Sequence, residues 1–530
     1  MGSVLLTVAA ASLVLGALVV PSEVAQLVPE AFLRVPGEAL VGAGVLLVLR
    51  GRARSIVALV GGALIGVLLI VRVADLGFRA VLARGFDPVL DLPLLGNAAD
   101  FLTESYGRTA AIGAMVGAAV LAVAVPTVTA LALRRLAGVL GRHRRIGGRT
   151  LAAVTAMWAV CAVTGATLAP PVPFASRSAA TLAYSVGRQI PVSLHDEQEF
   201  ARVSANDAFR DTPSDQLLTA LAGKNVVIAY VESYGRSAVE DPQYAPQVGA
   251  TLDAGTSTLA DAGFGSRSGW LTSPIAGGGS WLAHATLLSG LWIDNQQRYR
   301  SLTTSDRLTL SKVFQKTGRQ TVGVMPGTTE PWPESRFYGV DDYYDAHGLG
   351  YRGPGFGWSP MPDQYALAQY QRLTQGMAGP IGGDITLTSS HTPWIAVPTL
   401  RPWDEIGDGS TYASDVEGLD SPETIWEDPD RVRTNYRDSI EYSLNSLVSW
   451  VHDYGDDNLV LVVLGDHQPS PMITHDSPNR DVPVSIVTRD RQVLDRVSQA
   501  WEWQQGLRPG PDAPVWRMDA FRDRFLDAFK

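Results

Sequence analysis

Five apolar runs, residues 4–20, 39–49, 56–71, 109–133 and 151–169, fill the first third of the chain, separated by short polar segments. Runs approaching 20 apolar residues span a bilayer as helices. The second run is shorter and needs residues 35–40 to extend it. The first has no basic stretch before it and four similar runs after it, which predicts a membrane helix and not a signal peptide. Beyond residue 170 the pattern changes. Pro170, Pro171 and Pro173 break the last run, and residues 176–222 read as amphipathic helical turns lying along a membrane surface. Short β-rich runs then alternate with helical stretches, at 225–231, 320–325, 384–388, 458–464 and 482–487. Strands that are apolar throughout predict an α/β sheet buried on both faces. The acidic stretch 404–430 reads as a surface insertion. The expected organisation is a five-helix transmembrane domain over 1–170, an amphipathic juxtamembrane connector over 171–222 and an extracytoplasmic α/β domain over 223–530.

Charge sets the expected orientation. The part before residue 170 holds fourteen Arg, no Lys and eight acids, whereas the remainder has 29 basic against 45 acidic residues. Arg50, Arg52 and Arg54 separate runs two and three; Arg134, Arg135, Arg142, Arg144, Arg145 and Arg149 separate runs four and five, together with His143. The positive-inside rule makes both loops cytoplasmic, which puts the N-terminus in the cytoplasm and everything after residue 170 outside, in a multi-pass protein of the cell membrane. Arg72 and Asp75 mark either a polar intramembrane site or a snorkelling pair. The loop 85–106 reads as interfacial. Nucleic acid is excluded as a partner by the net charge of −10, and a single Cys excludes an intramolecular disulfide and cysteine-based metal sites.

Polar residues collect where the apolar strands end. Glu232-Ser233-Tyr234 follows the first strand, Ser389-Ser390-His391 another, and Gly465-Asp466-His467-Gln468 a third. Ligands of open α/β sheets bind beyond the carboxyl ends of strands, and carboxylates with an imidazole suit a hard-to-borderline divalent ion. Each alone has another reading: a Glu after a strand also suits the start of the next helix. Gly277-Gly278-Gly279-Ser280 either frees backbone amides around an activated hydroxyl or is a turn capped by Ser280. It is not a P-loop, since no Gly-Lys-Ser/Thr follows. His347, His452 and His475 read as surface or supporting residues.

The order of these motifs, Glu232, then Ser-x-x-x-His-x-Thr-Leu-Leu-Ser-Gly over 280–290, then Ser-Ser-His, then Gly-Asp-His-Gln, resembles the sulfatase-like branch of the alkaline phosphatase superfamily. Five membrane helices before such a domain resemble its lipoteichoic acid synthase and phosphoglycerol transferase group. The resemblance implies an alkaline phosphatase/sulfatase-like mixed sheet with helices on both faces. It places the nucleophile at Ser280, ten residues before Gly290, and a metal shell at Glu232, Ser280, Asp466 and His467 around Mn²⁺, with Mg²⁺ or Zn²⁺ as alternatives. It makes His391 the catalytic histidine of the substrate site and Trp332 with Arg336 an aromatic–Arg pair for glycerol phosphate. His284 matches a signature position, open to phosphate contact or helix packing. Two departures stand out. Ser280-Trp281-Leu282-Ala283-His284 lacks the Cys/Ser-x-Pro-x-Arg of true sulfatases, and the synthases carry Thr where this chain has Ser280. The implied activity is transfer of phosphoglycerol, or a similar phospho-alcohol, from a membrane phospholipid such as phosphatidylglycerol to an envelope glycan or glycolipid through a phosphoseryl intermediate. The alternatives are a phosphodiesterase or phosphatase of the same superfamily and a non-catalytic, membrane-anchored envelope scaffold.

Overall fold

The computed structural model describes residues 2–92, 94, 96, 102, 103, 108–169 and 172–530. Pro170, Pro171 and most of the loop 85–106 beyond Leu92 therefore lie outside the described residues. The chain divides into two compact units, one of residues 1–80 and 84–196 and the other of 81–83 and 197–530.

The first unit is helical: α1 (Gly2–Val19), α2 (Gly37–Val48), α3 (Gly51–Leu82), α4 (Arg108–Arg142) and α5 (Arg144–Thr164) match the five apolar runs. Four of them are long and apolar enough to cross a membrane. The other, α2, has 12 residues, about 18 Å at 1.5 Å per residue: of the residues expected to lengthen it, Gly37 and Glu38 do so, whereas Val35 and Pro36 pair instead with Ala175 and Ser176. Arg72 and Asp75 are buried and paired at 3.3 Å, and Arg72 also donates to the Ser178 carbonyl at 2.8 Å. The pair thus ties α3 to the start of α6 (Ser178–Ala205), a 28-residue helix where short turns were expected. Asp87, at the start of the interfacial loop, accepts from Gln189 and Ser193 of the same helix.

The second unit is built on a nine-stranded mixed sheet. Its strands are β1 (Asn225–Val231), β2 (Gly265–Thr272), β3 (Gln320–Met325), β4 (Asp342–Asp345), β5 (Ile381–Leu387), β6 (Leu459–Gly465), β7 (Asp481–Thr488), β8 (Gln504–Gln505) and β9 (Val515–Arg517). The order across the sheet is β8-β2-β7-β6-β1-β5-β3-β4, with β9 also on β2. From β6 to β4 every pairing is parallel, while β7 runs antiparallel to both β6 and β2. Alternate residues of β1 enter different cores: Val227, Ala229 and Val231 join one cluster, Val226, Ile228 and Tyr230 the other. Two buried faces account for the unbroken apolar runs. The strand expected at 384–388 starts earlier because Gly382 and Gly383 admit the rings of Phe314 and Tyr370 against the backbone. In the insertion 404–430, Tyr412 and Ile425 are fully buried and anchor it.

Asp207 is sealed between Arg522, which holds it with two hydrogen bonds of 3.0 Å, and Arg307 at 3.3 Å. Burial alone would raise the Asp207 carboxyl; the Arg522 hydrogen bonds and both positive charges overcome it and hold the carboxyl below its ordinary value. The stability this carboxylate contributes is therefore present above its unfolded pKa and is lost as pH falls through the lowered one. Asp207→Asn leaves buried Arg307 without its anion and Arg522 with Asp523 alone, at 2.7 Å, so it should cost about 3–5 kcal/mol. The check is thermal unfolding of the full-length protein in detergent, where a melting point equal to wild type would contradict the role assigned to this triad.

Candidate active site

Sheet register builds the site. β6, β1 and β5 are neighbours, with Gly465 beside Val231 and Val231 beside Leu387. Adjacent strands lie about 4.8 Å apart, so the residues that follow these three are brought to one edge. Asp466 leaves β6, Glu232 leaves β1, and the Ser389-Ser390-His391 turn leaves β5. The fourth contribution is α7 (Ser280–Ser289). Gly277, Gly278 and Gly279 have φ of 76°, 150° and 91°, a region glycine enters without strain, and they lead directly into its first turn.

Glu232, Asp466 and His467 are all buried, and one ligand atom from each lies within 4.8 Å of the others. The Ser280 hydroxyl donates to Glu232 Oε2 at 2.8 Å and lies 3.2 Å from His467 Nε2. His467 Nε2 is also 3.2 Å from Glu232 Oε1 and 3.7 Å from Asp466 Oδ2. The Gln468 carbonyl, 2.8 Å from His467 Nδ1, only accepts, so Nδ1 carries a proton and Nε2 is the nitrogen turned to the cluster. Asp466 Oδ1 takes the Ser233 and His467 amides, whereas Oδ2 is buried without a hydrogen bond. An orphaned carboxylate oxygen facing a second carboxylate is costly unless a cation completes it. Two carboxylates, an imidazole nitrogen and a serine oxygen fit a divalent ion of the Mn²⁺ or Zn²⁺ kind.

The protonation pattern follows from the same crowding. Burial would raise Glu232, and the imidazoles of His467 and His391 overcome it and hold that carboxyl below the usual range. Burial and the Glu232 charge push Asp466 up. Burial disfavours the charged form of His467, but Asp466 and Glu232 outweigh it and lift the imidazole to about 9.

His391 stands beside this group. Its Nδ1 bonds the Thr392 carbonyl at 2.5 Å and its ring stacks on Trp358 at 4.3 Å. His284 stacks on Tyr230 at 3.8 Å, its Nε2 is enclosed without a partner, and burial lowers it to about 4, so it is neutral. Trp332 packs among Tyr338, Tyr343 and the Tyr299 hydroxyl, and Arg336 is exposed; neither makes a hydrogen bond or ion pair with the cluster. His347, His452 and His475 are exposed.

Several supporting residues escape sequence reasoning. Buried Asp363 accepts from the amides of Thr388 and Ser389 at 2.6 and 2.9 Å and from Ser443, which fixes the turn carrying His391. Ser390 donates to the Glu232 carbonyl at 2.6 Å. Ser233, at φ 56°, donates its hydroxyl to Glu232, a strained residue of the kind that collects at functional sites. Only the Ser-rich strand end hinted at this; nothing in the spacing signals Asp363 or Trp358.

No family model and no curated protein matches the chain. Solved structures do. The full-length lipooligosaccharide phosphoethanolamine transferase A of Neisseria meningitidis is 12% identical, covering 94% of this chain and 87% of its own, with a TM-score of 0.45. The lipoteichoic acid synthase LtaP of Listeria monocytogenes is 14% identical over 63% of this chain and 78% of its own, TM-score 0.40. The phosphoglycerol transferase GacH of Streptococcus pyogenes, solved with sn-glycerol-1-phosphate, is 12% identical over 63% and 89%, TM-score 0.37.

An ion entering the cluster must displace protons held by the raised Asp466 and His467. Mn²⁺ affinity should therefore climb between pH 6 and 9, about tenfold per pH unit for each proton released. Calorimetry at pH 7 in buffers of different ionisation heat measures the release directly; heats independent of buffer would contradict this protonation state.

Proposed function

We propose that the chain is a membrane-anchored, metal-dependent transferase that moves a phospho-alcohol group from a phospholipid to an acceptor hydroxyl. The observation that carries this reading is Ser280: a hydroxyl at a helix start, 2.8 Å from a buried carboxylate and 3.2 Å from an imidazole nitrogen. A divalent ion bound by Glu232, Asp466 and His467 would supply Lewis acidity at the Ser280 oxygen and the phosphoryl oxygens.

The residues divide the remaining work. Ser280 Oγ forms a bond to phosphorus as the bond from phosphorus to the lipid alcohol breaks, leaving a phosphoseryl group. Its proton lies toward Glu232. The Gly277 amide is taken by the Gln468 carbonyl at 2.8 Å, and the Gly278 and Gly279 amides are assigned to the charge developing on the phosphoryl oxygens. His391 returns a proton to the departing alkoxide and takes one from the acceptor hydroxyl in the second half-reaction. With phosphatidylglycerol as donor the first product is diacylglycerol, which remains in the bilayer beside the apolar helices, and the group transferred is glycerol phosphate. An envelope glycan or glycolipid supplies the acceptor hydroxyl. Mn²⁺ is the ion we assign, and Trp332 and Arg336 are assigned to the transferred alcohol by their place in the motif order, with His284 as a neutral group behind the phosphate.

Purified full-length protein given fluorescent phosphatidylglycerol and Mn²⁺ should release diacylglycerol. Ser280→Ala should lower that release at least about 10³-fold, and chelation should abolish it. Glycerol phosphate recovered on a glycolipid acceptor marks transfer; free glycerol phosphate marks a hydrolase. Undiminished release by Ser280→Ala would overturn the nucleophile assignment.

A further inference from the structure

The helical unit contains a feature that the proposed chemistry does not use. A half-open cleft of about 880 Å³ lies among α1 to α6, walled by aliphatic side chains such as Val14, Leu46, Leu136 and Leu151. Engineered apolar cavities of about 150 Å³ stay dry and take up benzene, so a space near six times larger, with so few polar groups, is not a water site. Short α2 accounts for it: where a bilayer core of about 30 Å calls for some 20 residues, this helix supplies 12.

The polar groups sit at the ends of the cleft. Glu38, at the start of α2, holds the Ala180 amide at 2.7 Å. His143 lies where α4 passes into α5; of the nine arginines of the two basic clusters, seven lie at or within five residues of the α2–α3 and α4–α5 joins, and Arg134 and Arg135 lie in the last turns of α4, none of them among the cleft's lining residues. Arg54 donates to the Leu49 carbonyl at 2.8 Å and Arg144 to that of Leu47, which seats both at the end of α2. Arg142 and Arg145 are exposed, and no salt bridge is formed by any of the nine among the described residues. Residues 39–74 and 108–169 contain no Asp or Glu at all. The chain thus offers a hydrocarbon-sized slot with a concentration of uncompensated guanidiniums at one end. Basic pockets between membrane helices bind anionic headgroups, and guanidiniums suit phosphate.

We propose that this cleft is a binding site for an anionic phospholipid, with an acyl chain in the slot and the phosphodiester held by the arginines around His143. It is separate from the Ser280 centre and does not depend on the reading given for it.

The test uses full-length Ser280→Ala protein, which would leave the probe intact, in phosphatidylcholine vesicles carrying either phosphatidylglycerol or phosphatidylcholine with a photoreactive group in the acyl chain. Phosphatidylglycerol should label the segment 133–154 several-fold more than phosphatidylcholine. Ala43→Trp, which fills the slot, should remove that label, and Arg142→Gln with Arg145→Gln should weaken it about fivefold per arginine. The arginine variants alter exposed side chains and report even if the tryptophan variant fails to fold. Equal labelling by the two lipids, or labelling unchanged by both sets of variants, would overturn the proposal.

Discussion

Two buried carboxylates on neighbouring strands are the constraint on which the rest of the soluble unit depends. Register alone brings Glu232 and Asp466 together, and like charges out of water repel strongly. The fold answers with local compensation: the Ser233 and His467 amides on Asp466 Oδ1, the Ser280 and Ser233 hydroxyls on Glu232, and the His467 imidazole between the two carboxylates. One oxygen, Asp466 Oδ2, is left over. A site satisfied in every direction but one is poised for a cation, and the hydroxyl at its edge is poised for nucleophilic chemistry.

Much of this was legible in the residues. Uniformly apolar strands ending in Glu, Ser-Ser-His and Gly-Asp-His-Gln indicated a doubly buried sheet with chemistry at its carboxyl edge, because burial and strand polarity are local properties of sequence. Three consecutive glycines drew attention to Ser280, and the resemblance, not the glycines, singled out its hydroxyl. What stayed hidden depends on tertiary contact. β2 reads Gly-Ser-Arg-Ser-Gly-Trp-Leu-Thr, with no apolar run, yet its position between β7 and the short strands β8 and β9 makes it integral to the sheet. Asp363 lies 26 residues from the Ser389 amide it holds, and Trp358 reaches His391 through a turn whose tip is Gly357 and Trp358. Trp332 and Arg336 were chosen by motif order alone; Trp332 is engaged with three tyrosines.

The helical unit follows different rules. Hydropathy located its helices well, since lipid leaves the backbone no alternative to helix. It overreached at α2 by two residues, because Val35 and Pro36 pair in extended form and only Gly37 and Glu38 lengthen the helix. Buried Arg72 and Asp75 are likewise explained by contacts the sequence does not show, to each other and to the start of α6. No carboxylate in residues 39–74 and 108–169 balances the arginines of those segments.

The most direct test of the central claim is to stop the reaction of the Mn²⁺-loaded, full-length protein with phosphatidylglycerol in acid and map the modified peptide by mass spectrometry. A glycerophosphoryl group on Ser280, formed on mixing and lost when an acceptor is added, is the predicted result. A reaction that turns over lipid while Ser280 stays unmodified, with the adduct on another residue or on none, would contradict the account.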